Sequence, residues 1–270
     1  MGIGLEIPVF GASAASRAVQ LGAARIELNA SGSYPEGGLT PSSEDLKRIA
    51  LIDIPIRVMI RPRGPLIGTQ ARDFVYSDKE FEQMEADIRR FKETESLNEE
   101  RGDGFVFGIL KEDPFPSNRK AHLRICVVDK DRCSRLVAAA RPFKTVFHRA
   151  FDEIVSCDNK GQDIKERHAW ETGLNDLAEC GFDAILTSGG LGNAIQNVVL
   201  LESIVTRAED LNIEIIAGGG VRRHNAKEIS EHLKLKARKL SAFVHSACLS
   251  GVGSEHVDAE EVEAILLQLG

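Results

Sequence analysis

Eight short runs of β-branched and aliphatic residues recur along the 270-residue chain, each followed by a stretch with helical periodicity. They are Leu5–Phe10, Arg25–Asn29, Ile56–Ile60, Phe105–Leu110, Thr145–His148, Ala184–Thr187, Glu214–Ala217 and Ala242–His245. All are apolar nearly throughout, the pattern of strands covered on both faces of a parallel sheet. Eight such βα units average about 34 residues each, close to the ~250-residue norm of a (β/α)8 barrel. A doubly wound sheet, the rival parallel architecture, usually carries G-x-G-x-x-G in its first βα turn. That turn here reads Phe10-Gly11-Ala12-Ser13-Ala14. The expected fold is therefore α/β, a single TIM-barrel domain over residues 1–270.

The intervening segments carry helix punctuation. Phe81, Met84, Ile88 and Phe91 fall at helical spacing after a Ser77-x-x-Glu80 capping box. Thr40-Pro41 places a cap residue before a first-turn proline. Asn225-x-x-Glu228 and Asp258-x-x-Glu261 read as two further helix starts. Gly22 and Gly181 read as helix ends, and they open two similar phrases, Gly22–Leu28 and Gly181–Thr187, an echo of an internal βα repeat. Pro65–Arg72 and Lys111–Leu123 exceed ordinary loop lengths and are expected to be surface insertions.

Charge and cysteine usage narrow the function classes. Thirty-four basic against 41 acidic residues give a net charge of −7, which argues against nucleic acid as a partner. No apolar run reaches the ~18 residues of a membrane span, and Met1–Glu6 has no basic-then-apolar signal pattern. The five cysteines are odd in number and dispersed, as reduced thiols of a cytoplasmic protein would be. No CxxC, HxH, HExxH or G-x-S-x-G spacing occurs.

In a TIM barrel the chemistry gathers at the C-terminal strand ends. There the chain delivers Glu27 and Asn29, Arg61-Pro62-Arg63, His148-Arg149-Ala150-Phe151-Asp152, Thr187-Ser188-Gly189-Gly190, Gly218-Gly219-Gly220-Val221-Arg222 and His245-Ser246. Charged residues in apolar strands are costly unless paired or functional. Glu6 sits earlier in its strand, where a register-setting buried ion pair is an equally good reading. Glu27, His148 and Asp152 are the candidate acid/base residues. Arg61, Arg63, Ser188, Gly189, Gly219, Gly220 and Arg222 are the candidate anion-binding set, combining guanidinium forks with backbone N–H groups exposed by glycine.

The motifs Glu36-Gly-Gly-Leu-Thr-Pro-Ser42, Arg61-Pro-Arg-Gly64, Asp73-Phe-Val-Tyr-Ser77, Phe147-His-Arg-Ala-Phe-Asp152, Leu186-Thr-Ser-Gly189 and Gly218-Gly-Gly-Val-Arg222-x-x-Asn225 occur in order. Over nearly the whole chain, from Glu6 to Ser246, this resembles the copper homeostasis protein CutC family. The resemblance implies a TIM barrel, a cytosolic location, a homodimer and a role in copper handling through copper binding, with His148 and His245 as candidate metal ligands and the cysteines as the alternative. Family members often carry cysteines just after the first strand's glutamate and after the second's. This chain has Ile7-Pro8-Val9-Phe10 and Leu28-Asn29-Ala30 there. Three functions follow as expectations: copper binding; an enzyme acting on a small phosphorylated or carboxylated metabolite at the rim; and a non-catalytic scaffold.

Overall fold

A computed structural model describes residues 2–66, 68, 72–112, 126–157, 168–251 and 254–270. Ten strands are present in these residues: β1 (Gly4–Phe10), β2 (Arg25–Asn29), β3 (Ile56–Met59), β4 (Gly104–Phe107), β5 (Leu110–Glu112), β6 (Cys126–Val128), β7 (Lys144–Phe147), β8 (Ala184–Thr187), β9 (Glu214–Gly218) and β10 (Phe243–His245). Eight of them close a parallel barrel in the order β1-β10-β9-β8-β7-β4-β3-β2. All eight expected strands are found, and the fold is a (β/α)8 TIM barrel. The fourth run breaks at Gly108, so Leu110 leaves the barrel and joins β5, which pairs antiparallel with β6. This hairpin forms the base of the expected second insertion; residues 113–125, like 67 and 69–71 of the first, lie outside the described residues.

Helices α1 (Ala12–Gln20), α2 (Ser43–Arg48), α3 (Asp78–Glu93), α4 (Lys130–Ala140), α5 (Ala150–Val155), α6 (Ala169–Cys180), α7 (Val198–Asp210), α8 (Ala226–His232) and α9 (Ala259–Leu269) surround the barrel. Two starts form as the sequence indicates. Ser77 and Glu80 make a reciprocal capping box on α3, and Asp258 accepts the N–H groups of Glu260 and Glu261 on α9. Gly181, at φ 87, ends α6 in the left-handed conformation that L-residues avoid. Two starts differ. Ser42 caps α2, because the Thr40 hydroxyl is engaged with the backbone of Arg61. Asn225 clamps its own loop instead, accepting from Arg222 N–H and donating to Gly220 C=O.

Side chains pointing into the barrel divide it into two halves. Met59, Val106, Val146, Ala184, Leu186 and Ile216 pack together on one side. Strands β10, β1 and β2, with the start of β9, supply an ionic side: His245, Glu6, Arg25, Glu27 and Glu214. Parallel register explains the grouping, since Glu6 lies opposite both Arg25 and His245. The larger core lies between strands and helices, where Phe182 packs on Phe107 and Phe147 at 5.2 and 5.3 Å.

Candidate functional site

The C-terminal strand ends and the loops beyond them enclose a cavity of about 530 Å³. Glu27, Arg61, His148, Asp152, Gly219, Gly220, Arg222 and His245 all line it. Most of the strand-end residues singled out above therefore converge, whereas Arg63, Ser188 and Gly189 do not line the cavity, and the hydrogen bonds of the set give its members different parts.

An ionic chain lies beneath the floor, which Glu27 and His245 line. Glu6 Oε2 accepts Arg25 Nε, and Glu6 Oε1 lies 2.7 Å from His245 Nδ1. Arg25 continues to Glu214 at 2.8 Å, its guanidinium 3.6 Å above the Phe243 ring. Burial alone would raise the Glu6 carboxyl, but Arg25 and His245 override it and hold the group at about 2. Burial would lower His245; the Glu6 bond and the charges of Glu27 and Glu6 raise it instead. Glu27 lacks such a direct cationic partner. Burial pushes its carboxyl up, Asn29 Nδ2 donates to Oε1 at 3.1 Å, and Oε2 is buried with no hydrogen-bond partner among the described residues. Atoms of Glu6, Glu27 and His245 all lie within 4.8 Å of one another, and this is the one metal-competent group of His, Cys, Asp or Glu among the described residues.

His148 stands outside that group. Its Nδ1 accepts the Ala150 N–H at 3.3 Å, which leaves the ring proton on Nε2. Burial, with Arg61 nearby, pushes this imidazole down to about 3, so it is neutral at physiological pH.

The arginines and glycines divide similarly. Arg61 is buried and binds Glu36 C=O, Gly38 C=O and Asp73. Arg63 binds Glu80 at 2.6 Å and Val75 C=O at 2.8 Å. Both pin the loops around the mouth. Arg222 has no carboxylate partner among the described residues. The backbone cradle after β8 is filled by the protein's own anion, because Asp152 accepts the N–H of Ser188 at 3.0 Å and of Gly190 at 3.3 Å. Thr187 Oγ1, Ser188 Oγ and Arg149 Nε also donate to Asp152, while Gly189 N–H bonds Thr187 Oγ1. After β9 the situation is open. Gly219 and Gly220 turn the chain at φ 96 and 70, and the register of Gly218 opposite His245 directs the Gly219 N–H toward β10, while the Gly220 N–H has no acceptor among the described residues. A Cβ at Gly219 would meet Ser188 Cβ at 2.7 Å, so only glycine fits this approach.

The cysteines stay apart from the mouth. Cys126, Cys133, Cys180 and Cys248 are buried, and burial raises all four thiols. Sequence reasoning missed Arg25 and Glu214, which anchor the floor, and the loop aromatics Tyr34 and Phe74, which line the wall. Arg25 carried a usable signal: it lies two residues before Glu27, hence on the same strand face.

Fold and site together define a (β/α)8 barrel with a cavity at its C-terminal mouth, set above a buried ion-paired chain. A profile of the CutC family matches residues 3–243, and the chain belongs to that family. It is 36% identical over 228 residues to the mouse protein named copper homeostasis protein cutC homolog, covering 84% of this chain and 69% of that one. A Parabacteroides distasonis family protein CutC is 34% identical over 240 residues, covering 88% and 82%. The crystal structure of a CutC protein from Streptococcus agalactiae superposes with a TM-score of 0.68 at 28% identity, covering 92% of this chain and 99% of that one. A phosphoribosyl anthranilate isomerase, with a TM-score of 0.51 at 13% identity and covering 99% and 98%, shares the fold alone.

Proposed function

We propose that this chain serves copper homeostasis by holding Cu(II) at the barrel mouth, on the Glu27 carboxylate and the His245 imidazole. The observation that carries this reading is the convergence of Glu6, Glu27 and His245 within 4.8 Å, with Glu27 Oε2 buried and without a hydrogen-bond partner among the described residues. Carboxylate oxygen and imidazole nitrogen suit Cu(II), whereas Cu(I) selects sulfur. Glu6 takes the Nδ1 side of His245 and leaves Nε2 for the ion, the usual second-shell arrangement of a histidine ligand. The copper role printed for the mouse relative supports the choice of cargo. His148 lies outside this donor set. The same reading has the protein in the cytosol as a homodimer with no nucleic-acid or membrane partner. In support, its net charge is −7 and no helix among the described residues is long and apolar enough to cross a membrane.

The test is a competition titration of metal-free protein with Cu(II) and Cu(I), before and after thiol alkylation. One Cu(II) per chain tighter than ~1 µM is expected. Glu27→Gln and His245→Ala should each weaken it, and alkylation should not. Loss of binding on alkylation, or binding indifferent to both variants, refutes the assignment.

A second reading is favoured by the size of the cavity. At about 530 Å³ it is far larger than an ion needs and falls in the range of small-molecule sites. It fits an enzyme acting on a small phosphorylated or carboxylated metabolite. Glu27 and His148 would then be the acid/base groups, since Asp152 is taken up by its five donor groups.

A further inference from the structure

Buried side chains with unpaired polar atoms, gathered around one cavity, point to what its ligand must offer. Glu27 Oε2, Asn29 Oδ1, Arg61 Nε and His148 Nε2 are buried without a hydrogen-bond partner among the described residues, and all four residues line the mouth. Each is at least nine-tenths buried. Native interiors rarely leave such groups unsatisfied. The ring of Phe74 packs 4.7 Å from the His148 ring and 5.2 Å from the Arg61 guanidinium, shielding both from bulk water.

Their chemistry is mixed. Two are acceptors, which call for hydroxyl groups. Two are donors, which call for a carbonyl-type oxygen, and the Ala150 N–H on Nδ1 fixes His148 Nε2 as a donor. Across the barrel is a third kind of group. β9 is diametrically opposite β3 in the ring, and beyond its end lie the Gly219–Gly220 turn and Arg222, which has no carboxylate partner among the described residues. That end suits an anion.

We propose that the cavity binds a small anionic hydroxycarbonyl compound. Its hydroxyls meet Glu27 and Asn29, its carbonyl oxygen meets His148 and Arg61, and its phosphate or carboxylate lies at Gly219, Gly220 and Arg222. The proposal rests on the enzyme reading above and names the ligand class for it. Burial keeps His148 neutral at physiological pH, so it offers a carbonyl a hydrogen bond without adding a full charge.

Dihydroxyacetone phosphate and hydroxypyruvate are the probes, with inorganic phosphate and acetate as their parent anions. Calorimetry on the metal-free full chain should find one probe binding roughly tenfold or more tightly than its parent anion, the margin expected of a site built to hydrogen-bond a ligand. The stronger probe tells phosphate from carboxylate. His148→Phe should remove that margin, and Arg222→Ala should weaken probe and parent anion alike. In the unmodified protein, the probe but not the parent anion should shift the His148 Nε2 resonance, which decides the matter if His148→Phe does not fold. Parent anions binding as well as the probes, with sensitivity to Arg222→Ala, would overturn this ligand class and leave the enzyme reading standing. No binding of any of the four compounds would overturn both.

Discussion

Removing the charge of Glu6 should unlock the barrel floor by an amount the structure sets. In the metal-free chain, Glu6→Gln keeps the side-chain shape but takes the shared carboxylate from Arg25 and His245. Arg25 then retains only Glu214, and a buried guanidinium is left half compensated. The Glu6 carboxyl is lowered from 4.5 to about 2 on folding. Two and a half pKa units at about 1.4 kcal/mol each give a contribution of about 3 kcal/mol. That agrees with the ~3–5 kcal/mol cost of breaking a buried ion pair. The folded value is the depressed one, so this stability is fully present above pH 4.5 and is lost as pH falls toward 2. Urea denaturation of both proteins at pH 7 should show Glu6→Gln weaker by about 3 kcal/mol, and at pH 3 the gap should narrow to about 1 kcal/mol. A gap below about 1 kcal/mol at pH 7, or one that ignores pH, would refute the view that Glu6 is the charged keystone of the floor.

Other perturbations separate structural anions from ligand-binding groups. Asp152→Asn turns an amide N–H₂ toward donors on Thr187, Ser188 and Gly190 and should cost on the order of 3 kcal/mol in urea unfolding. Loss of activity at unchanged stability would instead make Asp152 a reacting group. Arg61→Ala should cost about 3 kcal/mol or more, as its loop contacts are lost, and leave Cu(II) affinity intact in the same titration. Weaker phosphate binding without a stability loss would return Arg61 to the anion site. Gly219→Ala should lower the unfolding free energy by about 1–3 kcal/mol, since φ 96 and the Ser188 contact both oppose a Cβ. A neutral result would show that this turn relaxes freely.

The barrel was legible because strands buried on both faces have to be apolar, and eight such runs leave few other parallel architectures. Helix starts were legible only where the capping side chain had no competing partner. Ser77 and Asp258 cap as the sequence indicates, while Thr40 and Asn225 are drawn to Arg61 and Gly220. Strand-end position brought Glu27, His148, Arg222 and His245 into view. The division of labour among them was hidden, because it depends on partners far away in sequence. Asp152 is consumed by Ser188, 36 residues on, and Glu6 by His245, 239 residues on. Phe74 and Tyr34 arrive on loops whose course no periodicity marks.

The ionic half of the barrel also has a bearing on how the protein matures. Glu6 and His245 lie on β1 and β10, the strands that meet where the ring closes, and Arg25 reaches from β2 to Glu214 at the start of β9. A ribosome must therefore deliver the final βα unit before the floor can assemble, and pairings this distant in the chain are slow to form. Any disturbance that prises β10 from β1 would dismantle the binding floor while the packed half of Met59, Val106 and Ile216 still stood. Loss of ligand binding would then precede loss of helix signal on gentle denaturation, and the mouth would report on ring closure before any other part of the molecule.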